Sequence, residues 1–514
     1  MSTVATKKYK VGQDNVTFLG LDLHNPVFFI SGVIIVAFVI LTLMFQASAG
    51  DFFGWLRPWL TTQFDWVFMI AGNFFVLFCL FLIVSPWGNI RIGGADAKPD
   101  YSYPGWFAML FAAGMGIGLM FFGVLEPVYH FQNPPLGIDA GNIDAAREIG
   151  MSATIFHWAL HPWAIYAVVA LALAFFHYNL GLPLTIRSAF YPLFGERVWG
   201  WLGHVIDTLA VFATLFGLAT SLGLGAEQAL AGLNHLFGVP VTDVTKILLI
   251  LGITGIAVVS VVLGIDAGVK RLSEINMALA LCLLVFVILV GPTGDIIKGV
   301  FVNMFDYVKN LPNLSNWVGR DDTKFMHGWT TFYWAWWIAW SPFVGMFIAR
   351  VSRGRTVREF IICVLIIPSI VGVIWMTAFG GTALSQFIND GYTGVTETVS
   401  AWKPELSLYK MLEPLPLAGI SSFIGVVLVI VFFVTSSDSG SLVIDTITAG
   451  GKVDAPVAQR VFWAIFEGLV AIALLIGGGL TALQAASIST GLPFAIVLVL
   501  MCVSVFMGLR ATTR

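Results

Sequence analysis

Long apolar runs separated by short polar segments dominate the pattern along this chain. An apolar run of about 20 residues is long enough for a helix to cross the hydrocarbon core of a bilayer. The runs in this sequence predict twelve membrane-spanning helices. The predicted spans cover residues 27–45, 65–86, 105–128, 152–176, 205–230, 246–264, 275–291, 328–350, 357–379, 418–446, 459–480 and 489–509.

One segment between the predicted spans has a different pattern. In residues 295–308, apolar residues recur at spacings of three and four positions, and charged residues interrupt them. That period is typical of an amphipathic helix with one apolar face. We therefore expect a helix that lies in the membrane interface rather than across the bilayer.

The basic residues predict the orientation of the spans. If the N-terminus is cytoplasmic, most of the 26 Lys and Arg fall in inside segments, although the two longest loops, 292–327 and 380–417, are outside. Inside loops of membrane proteins are enriched in Lys and Arg. We therefore expect both termini to be cytoplasmic. The densest basic loop, from Arg350 to Arg358, is either a topological signal or a contact with anionic lipid.

Two spans contain residues that interrupt a helix. The third carries Gly114, Gly116 and Gly118, which propagate a helix poorly, and the eighth carries Pro342, which lacks a backbone N–H. Non-helical backbone at membrane depth is tolerated only where protein or a watery cavity covers it. Paired breaks therefore predict a midplane binding site. A small-residue packing face and a plain kink are the alternatives.

The two interrupted spans each begin a set of five. An odd number of helices per repeat inverts the second set relative to the first, and the first two spans are left over. This predicts six regions. They are an N-terminal cytoplasmic segment (1–26), two peripheral helices (27–104), a first repeat (105–291), an interfacial helix with an external loop (292–327), a second repeat (328–509) and a cytoplasmic end (510–514).

Composition agrees with a membrane protein and excludes other classes. The chain is 58% hydrophobic and 11% charged, whereas a soluble domain has about 25% charged residues. A net charge of −3 offers no basic field for nucleic acid. The four cysteines stand apart, so neither a disulfide framework nor a zinc site is predicted. We see no nucleophile–base set, His-Glu-x-x-His pattern or channel filter, so neither an enzyme nor a channel is expected.

Aromatic residues cluster inside two spans, in residues 156–166 and 332–340. Tryptophan usually lies at the membrane interface, and a belt or packing role is one interpretation. The other is a pocket of rings that attracts a quaternary ammonium group through cation–π contacts. Free backbone N–H groups near Gly114 to Gly118 would then bind a substrate carboxylate. A zwitterion can be held in this way without a buried formal counter-charge.

Two groups of polar residues suggest rival coupling ions. The hydroxyl-rich run 435–439 offers oxygen ligands of the kind that sodium prefers, although polar packing between helices is the alternative. Carboxylates within or beside spans are costly and usually functional, so a proton is the second candidate ion. The carboxylates concerned are Glu126, Asp207, Glu227, Asp438 and Glu467.

With these motifs in hand, the chain resembles the betaine–choline–carnitine transporter family over nearly its whole length. The resemblance is densest in residues 114–127, 156–166, 329–358 and 432–439. It implies an all-α polytopic protein with a LeuT-like five-plus-five inverted repeat after two peripheral helices. It also implies a homotrimer in a bacterial inner membrane.

The resemblance also implies the site residues. It places an aromatic box at Trp158, Trp163, Tyr166 and Trp337, with Trp336, Trp340 and Phe347 along the pathway. The unwound stretch beside the substrate would comprise Gly114, Met115, Gly116 and Gly118. One sodium site would use carbonyls of Ala112 and Met115 together with Phe432, Thr435 and Ser436. A second would use Thr214 and Phe343, but Leu218 stands where another hydroxyl is expected, and Thr220 and Ser221 are possible substitutes.

The expected function is sodium-coupled import of glycine betaine or a similar zwitterion, with sodium as the coupling ion and no cofactor. Neutral Asn276 stands where sodium-independent relatives carry Arg, which favours a real cation. Gly118 stands where choline carriers tend to have Asp, which favours a zwitterion. The alternative is a proton-coupled transporter of choline or of another onium compound, such as a betaine or its dimethylsulfonium analogue.

Overall fold

The structure is a computed structural model that describes residues 9–263 and 266–512, with backbone alone for residues 266–270. Two short strands, β1 (Asn15–Phe18) and β2 (Leu21–His24), form an antiparallel hairpin ahead of the first helix. The first half then contains α1 (Val27–Met44), α2 (Gln46–Val84), α3 (Tyr103–Gly114), α4 (Ile117–Gln132), α5 (Ile143–Trp158), α6 (Leu160–Tyr178), α7 (Tyr191–Phe194), α8 (Trp201–Phe237), α9 (Asp243–Leu263) and α10 (Asp266–Val290).

The second half is also helical. It contains α11 (Thr293–Ser315), α12 (Thr323–Phe325), α13 (Thr331–Val351), α14 (Val357–Ile388), α15 (Gly394–Ser400), α16 (Ser407–Leu412), α17 (Ala418–Thr448) and α18 (Val457–Thr512). Short 3₁₀ turns lie at Pro86–Asn89, Ile186–Phe190, Gly195–Trp199 and Pro404–Leu406, and Met326–Thr330 forms one π-helical turn.

The described residues form an all-α polytopic membrane protein, as the sequence predicted. Within them, nine helices are long and apolar enough to cross a bilayer, and ten if the bent pair α3 and α4 counts as one span. Helices distant in the chain pack together: α18 lies against α2 and α8, and α13 lies against α6. The β-hairpin is the part of the described N-terminal segment that the apolar pattern did not predict.

Two predicted loops are helical. Residues 46–64, expected to connect the first two spans, form the first half of α2, which begins directly after α1. Residues 481–488 continue α18, whose non-helical backbone is confined to Gly478 and Gly479. Gly479 has φ 61°, a conformation that favours glycine. The predicted eleventh and twelfth spans therefore meet at a two-residue kink instead of a loop.

The break predicted in the eighth span is wrong, because α13 runs without interruption through Pro342. Proline cannot donate to the carbonyl four residues earlier, which here belongs to Ile338. The Ser341 hydroxyl donates to that same oxygen at 2.7 Å, so the freed acceptor is satisfied inside the helix. The interruption predicted in the third span is present, since α3 and α4 meet at an angle of 64° across Met115 and Gly116.

A second interruption lies between α5 and α6, within the predicted fourth span. Ala159 has φ −109° and ψ −115°, which is not helical. Pro162 follows in the first turn of α6, where its missing N–H is tolerated, and it cannot bond the carbonyl of Trp158. The tryptophan at the end of α5 therefore lies at a break in the helix.

The amphipathic segment predicted at residues 295–308 is helical and belongs to α11. Ile296 and Tyr307 are buried on one side, whereas Phe301 and Phe305 are exposed on the other. The helix is therefore confirmed, and its position in the membrane interface stays a prediction.

The arginine-rich loop between α13 and α14 makes internal contacts. Ile92 donates its N–H to the carbonyl of Arg355 at 2.9 Å, and Gly354 returns a bond to Ile92. Arg355 bonds Glu359 at 2.8 Å and lies over the Trp106 ring at 4.5 Å. The loop is thus held to the segment after α2, and protein contacts occupy the guanidinium group of Arg355.

The β-hairpin is attached to the body by a buried guanidinium. Arg187 pairs with Asp207, with 3.2 Å between Nε and Oδ2, and donates to His24 Nε2 at 3.0 Å and to the Tyr9 hydroxyl at 2.9 Å. Burial, together with the neighbouring Arg187 charge, lowers the pKa of His24 to about 3. His24 is therefore a neutral acceptor, and the hairpin bonds Arg187 without adding a second buried cation.

We expect Arg355→Ala to destabilise the protein by about 2–3 kcal/mol, because it removes two charge-assisted hydrogen bonds and a stacked guanidinium from a buried site. The apparent melting temperature in detergent measures the effect. Arg350→Ala is the matched control, since Arg350 lies in the last turn of α13, next to the loop, and is exposed. Equal melting temperatures for the two variants would contradict the structural role of the loop.

Candidate functional site

The break between α3 and α4 creates a helix N-terminus within the protein. Met115 (φ −91°, ψ 134°) and Gly116 (φ −178°, ψ −174°) are extended, and α4 starts at Ile117. The first N–H groups of a helix have no partner within it, and the helix dipole adds partial positive charge there. Such a terminus is suited to bind an anionic group such as a carboxylate.

A small cavity lies at this terminus. Its volume is about 60 Å³, several times the roughly 10–15 Å³ that one water molecule requires. The predicted substrate residues, except Phe347, line it. They are Gly114, Met115, Gly116, Gly118, Trp158, Trp163, Tyr166, Trp336, Trp337 and Trp340.

Four of these rings meet edge to face. The centroid of Trp337 lies 4.9 Å from that of Trp158 and 6.2 Å from that of Tyr166, with interplanar angles of 75° and 78°. Trp163 and Tyr166 are 5.3 Å apart at 75°. Perpendicular rings form a concave box, and the ring faces that it presents carry the negative part of the quadrupole, which suits a compact cation. We call these four residues the cage, and the structure brings them together as the sequence predicted.

Hydrogen bonds from the indole N–H groups fix the cage and its neighbours. Trp337 donates to the His157 carbonyl at 3.0 Å, which the α5–α6 break leaves without its helical donor. Trp336 and Trp340 both donate to the Gly217 carbonyl, at 3.3 Å and 2.8 Å. Because the N–H groups bond outward, the ring faces remain available to the cavity.

Two of the predicted glycines are required by the close approach of these rings. A Cβ on Gly118 would lie 2.7 Å from Trp158 Cη2 and 3.1 Å from Trp336 Cη2. A Cβ on Gly114 would lie 3.3 Å from Trp163 Cζ2. The glycine stretch therefore both exposes backbone N–H groups and admits the rings that face them.

Phe347 lies apart from the cavity. It is on the last turns of α13 and is 38% exposed. Its place along a pathway stays a prediction. Conversely, sequence reasoning did not include Pro368 and Gly372 of α14 in the lining, because neither residue type marks a binding surface. Ser221, which also lines the cavity, was considered only as a substitute sodium ligand.

The first predicted sodium set is divided between neighbouring elements. The Ala112 carbonyl accepts the Met115 N–H at 3.3 Å, and the Thr435 hydroxyl bonds the carbonyls of Val431 and Phe432 in its own helix at 3.0 Å and 3.3 Å. Ser436 is half-buried beside Thr435. Helix α17 packs against α4, which begins two residues after Met115, and no hydrogen bond joins the two halves of the set among the described residues.

The second predicted sodium set has more apolar surroundings than the first. Thr214 is buried and bonds the Ala210 carbonyl at 2.7 Å. Phe343 packs against Trp340 with centroids 5.2 Å apart. Leu218 is fully buried, and Thr220 bonds both Leu483 and Ser487, which is a role in helix packing.

Three of the five candidate proton carboxylates are paired with a full cation. Asp207 contacts Arg187 at 3.2 Å, Glu227 contacts Lys246 at 2.6 Å, and Asp438 contacts Arg460 at 3.0 Å. Glu467 accepts from Ser437 at 2.9 Å. Glu126 is the one whose hydrogen bonds reach the cage, through the Trp158 indole at 2.7 Å.

Glu126, His130 and His157 form a buried cluster that resembles a metal site by residue type. Glu126 Oε1 lies 2.5 Å from His157 Nδ1. Two atoms that share a tetrahedral zinc ion lie about 3.3 Å apart, given bond lengths near 2.0–2.1 Å. The distance between Glu126 and His157 is therefore that of a hydrogen bond, whereas neither ring nitrogen of His130 has a hydrogen-bond partner among the described residues.

A larger cavity of about 460 Å³ adjoins the cage. Its lining includes Arg57, Lys324, Tyr129 and Trp329. Phe122 also lines it, and the Phe122 ring centroid lies 6.1 Å from that of Trp158 in the cage and 6.0 Å from that of Trp329.

Comparison with known proteins gives full-length matches. The profile of a family described as betaine/carnitine/choline transporters matches residues 26–514. A glycine betaine/proline/choline transporter of Vibrio parahaemolyticus is 62% identical over 525 aligned positions, covering 98% of this chain and 94% of that protein.

Two further proteins of Vibrio parahaemolyticus match over similar lengths. Glycine betaine transporter 1 is 56% identical, with 99% of this chain and 98% of that protein covered. A glycine betaine/proline/choline/ectoine transporter is 52% identical, with 99% and 91% covered.

We expect Trp337→Leu to weaken binding of glycine betaine by about tenfold or more, since it removes the ring that contacts both Trp158 and Tyr166. Titration of tryptophan fluorescence in detergent measures the affinity. Trp201→Leu, at an exposed tryptophan at the start of α8, should leave the affinity unchanged. An unchanged affinity in Trp337→Leu with a normal melting temperature would refute the cage.

We expect Gly118→Ala to weaken the same binding, because the added methyl group would meet the Trp158 and Trp336 rings. Isothermal titration with glycine betaine measures the loss. Gly255→Ala is the matched control, since a Cβ there meets nothing within 4 Å. Equal affinities in the two variants would show that the rings do not require the glycine.

Proposed function

Because this chain belongs to the betaine/carnitine/choline transporter family, we propose that it imports a small quaternary-ammonium zwitterion, glycine betaine or a close analogue, together with sodium. The expectation of a transporter rather than an enzyme is confirmed by the family match. The observation that supports the substrate class is the cage of four rings opposite a helix N-terminus.

The two ends of the cavity suit the two ends of a betaine. The trimethylammonium group has no N–H to donate, so ring faces are its best partners. The carboxylate would accept hydrogen bonds from the free N–H groups at the start of α4. The similar proteins named for glycine betaine support the same substrate class.

Gly118 favours a zwitterion over choline. An Asp at this position would place a carboxylate beside the onium group, but its Cβ would meet the Trp158 ring. The cage in its present arrangement therefore excludes an added counter-charge at residue 118. Choline remains the second candidate substrate, since two of the similar proteins are named for choline among other solutes.

Sodium is the coupling ion that the polar residues favour. The Thr435–Ser436 region offers hydroxyl and carbonyl oxygens on a helix that adjoins α4. Asn276 is buried, and neither polar atom of its side chain has a hydrogen-bond partner among the described residues. Because residue 276 is uncharged, the positive charge that an Arg would supply there has to come from a bound ion. The pairing of Asp207, Glu227 and Asp438 with cations makes these three poor proton carriers.

The proposal includes the architecture of the family. Helix α13, with 21 residues, and the kinked α18 support a count of twelve spans in a LeuT-like five-plus-five repeat. We also propose the six regions predicted from the sequence, a homotrimer, an inner-membrane location and cytoplasmic termini.

Alternating access would use the breaks that the structure contains. The chain departs from helical geometry at Met115–Gly116, at Ala159 and at Gly478–Gly479. The first two breaks border the cage. Movement there, with displacement of Phe122, would open the cage to the larger cavity or close it.

Purified protein in liposomes tests the coupling ion. Under an inward sodium gradient at equal pH, we expect accumulation of radiolabelled glycine betaine above its external concentration, because only coupled entry of the ion supplies the energy. Liposomes containing Trp337→Leu protein are the control for leakage. Accumulation under a proton gradient alone, with none under a sodium gradient, would show that the coupling ion is a proton and not sodium.

A further inference from the structure

Glu126 lies on α4 in contact with the cage residue Trp158, and its side chain is fully buried. Its Oε2 accepts from the Trp158 indole at 2.7 Å and from the Tyr333 hydroxyl at 2.5 Å. Its Oε1 lies 2.5 Å from His157 Nδ1. A Trp N–H only donates, so Oε2 is an acceptor. Oε1 accepts as well when the His157 imidazole carries its proton on Nδ1, and the carboxyl group is then an ionised carboxylate.

No Lys or Arg within the described ranges forms an ion pair with this carboxylate. The carboxylate contacts two histidines, His157 and His130, and His130 Nε2 lies 3.4 Å from Glu126 Oε1. His157 Nε2 lies 2.9 Å from the Thr330 hydroxyl, which can donate to it. A neutral imidazole with its proton on Nδ1 therefore satisfies both neighbours. Asp207 and Asp438, by contrast, each contact an arginine.

A buried carboxylate without a cationic partner is costly. Both donors to this carboxyl group lead to the cage, since Trp158 lines its cavity and Tyr333 stacks on Trp337 at 5.7 Å and 23°. Hydrogen bonds to a carboxylate polarise the donor groups. Electron density is pushed into the indole and phenol rings, which makes their faces more attractive to a cation.

We propose that Glu126 is the buried counter-charge of the onium group, acting through Trp158 and Tyr333 without touching the substrate. It is a positioning residue, and the inference rests on the proposed function. The cage thus uses a formal negative charge that is one ring away from the ligand. That charge favours an onium group over an uncharged group of the same shape.

Glu126→Gln separates the charge from the hydrogen bonds. The amide oxygen can accept from Trp158 and Tyr333 as Oε2 does. The amide NH₂ can donate to His157 Nδ1, if the imidazole proton moves to Nε2 and donates to Thr330. The variant therefore keeps a satisfied network and removes only the negative charge.

Two ligands of the same shape provide the readout. Glycine betaine and 3,3-dimethylbutanoate share a carboxylate and differ only in the replacement of the quaternary nitrogen by carbon. Both are titrated by calorimetry against the full-length protein and the Glu126→Gln variant, at constant sodium. We expect betaine affinity to fall about tenfold and that of 3,3-dimethylbutanoate to stay within about threefold.

Glu148→Gln is the matched control. Glu148 lies on α5, the helix that ends at Trp158, and pairs with Lys309 at the surface. The same chemical change there should leave both affinities unaltered. A merely structural role for Glu126 would change both ligands together, so the ratio of the two affinities carries the test.

If the ratio of betaine affinity to 3,3-dimethylbutanoate affinity is the same in Glu126→Gln as in the wild type, the inference is overturned. Wild-type protein that binds neither betaine nor choline would overturn the proposed function instead. Glu126→Asp, which retains the charge, provides a second variant if the glutamine variant does not fold. It should keep the preference for betaine over 3,3-dimethylbutanoate even if both bind less tightly, and loss of that preference would contradict the proposal.

Discussion

The need to satisfy every backbone polar group in apolar surroundings governs this site. An unbroken helix meets that need within itself, but the interruptions at Met115–Gly116 and Ala159 release N–H and C=O groups from their helical partners. The released His157 carbonyl is satisfied by the Trp337 indole, and the start of α4 presents its N–H groups to the cavity. The same constraint therefore orients a ring of the cage and supplies an anion site.

The sequence was most informative where backbone and side chains carry the same signal. Gly114 to Gly118 marked the α3–α4 break, and the two aromatic clusters marked the rings that line the cavity. Sequence could not tell that Pro342 leaves α13 intact, because this depends on the Ser341 hydroxyl reaching one carbonyl. The break at Ala159 was missed because the apolar run continues through it. The reach of Glu126 to Trp158 depends on the packing of α4 against α5, which a linear pattern does not contain.

The placement of charge changes one expectation drawn from composition. The scarcity of charged residues suggested that a zwitterion is held without any buried counter-charge. The structure instead places a buried carboxyl group in direct hydrogen-bond contact with a cage indole, while Asp207, Glu227 and Asp438 each pair with Arg or Lys. Rings and charge then act together, since an indole bonded to a carboxylate is a stronger partner for an onium group than an indole alone.

The central claim is that the cage binds the onium end of the substrate, and an anomalous-scattering ligand tests it most directly. Arsenobetaine has the shape of glycine betaine, with arsenic in place of the quaternary nitrogen. In a crystal of the sodium-loaded protein, the account predicts one arsenic peak within about 6 Å of the ring centroids of Trp158, Trp163, Tyr166 and Trp337. A peak confined to the larger cavity near Trp329, with none in the cage, would contradict it.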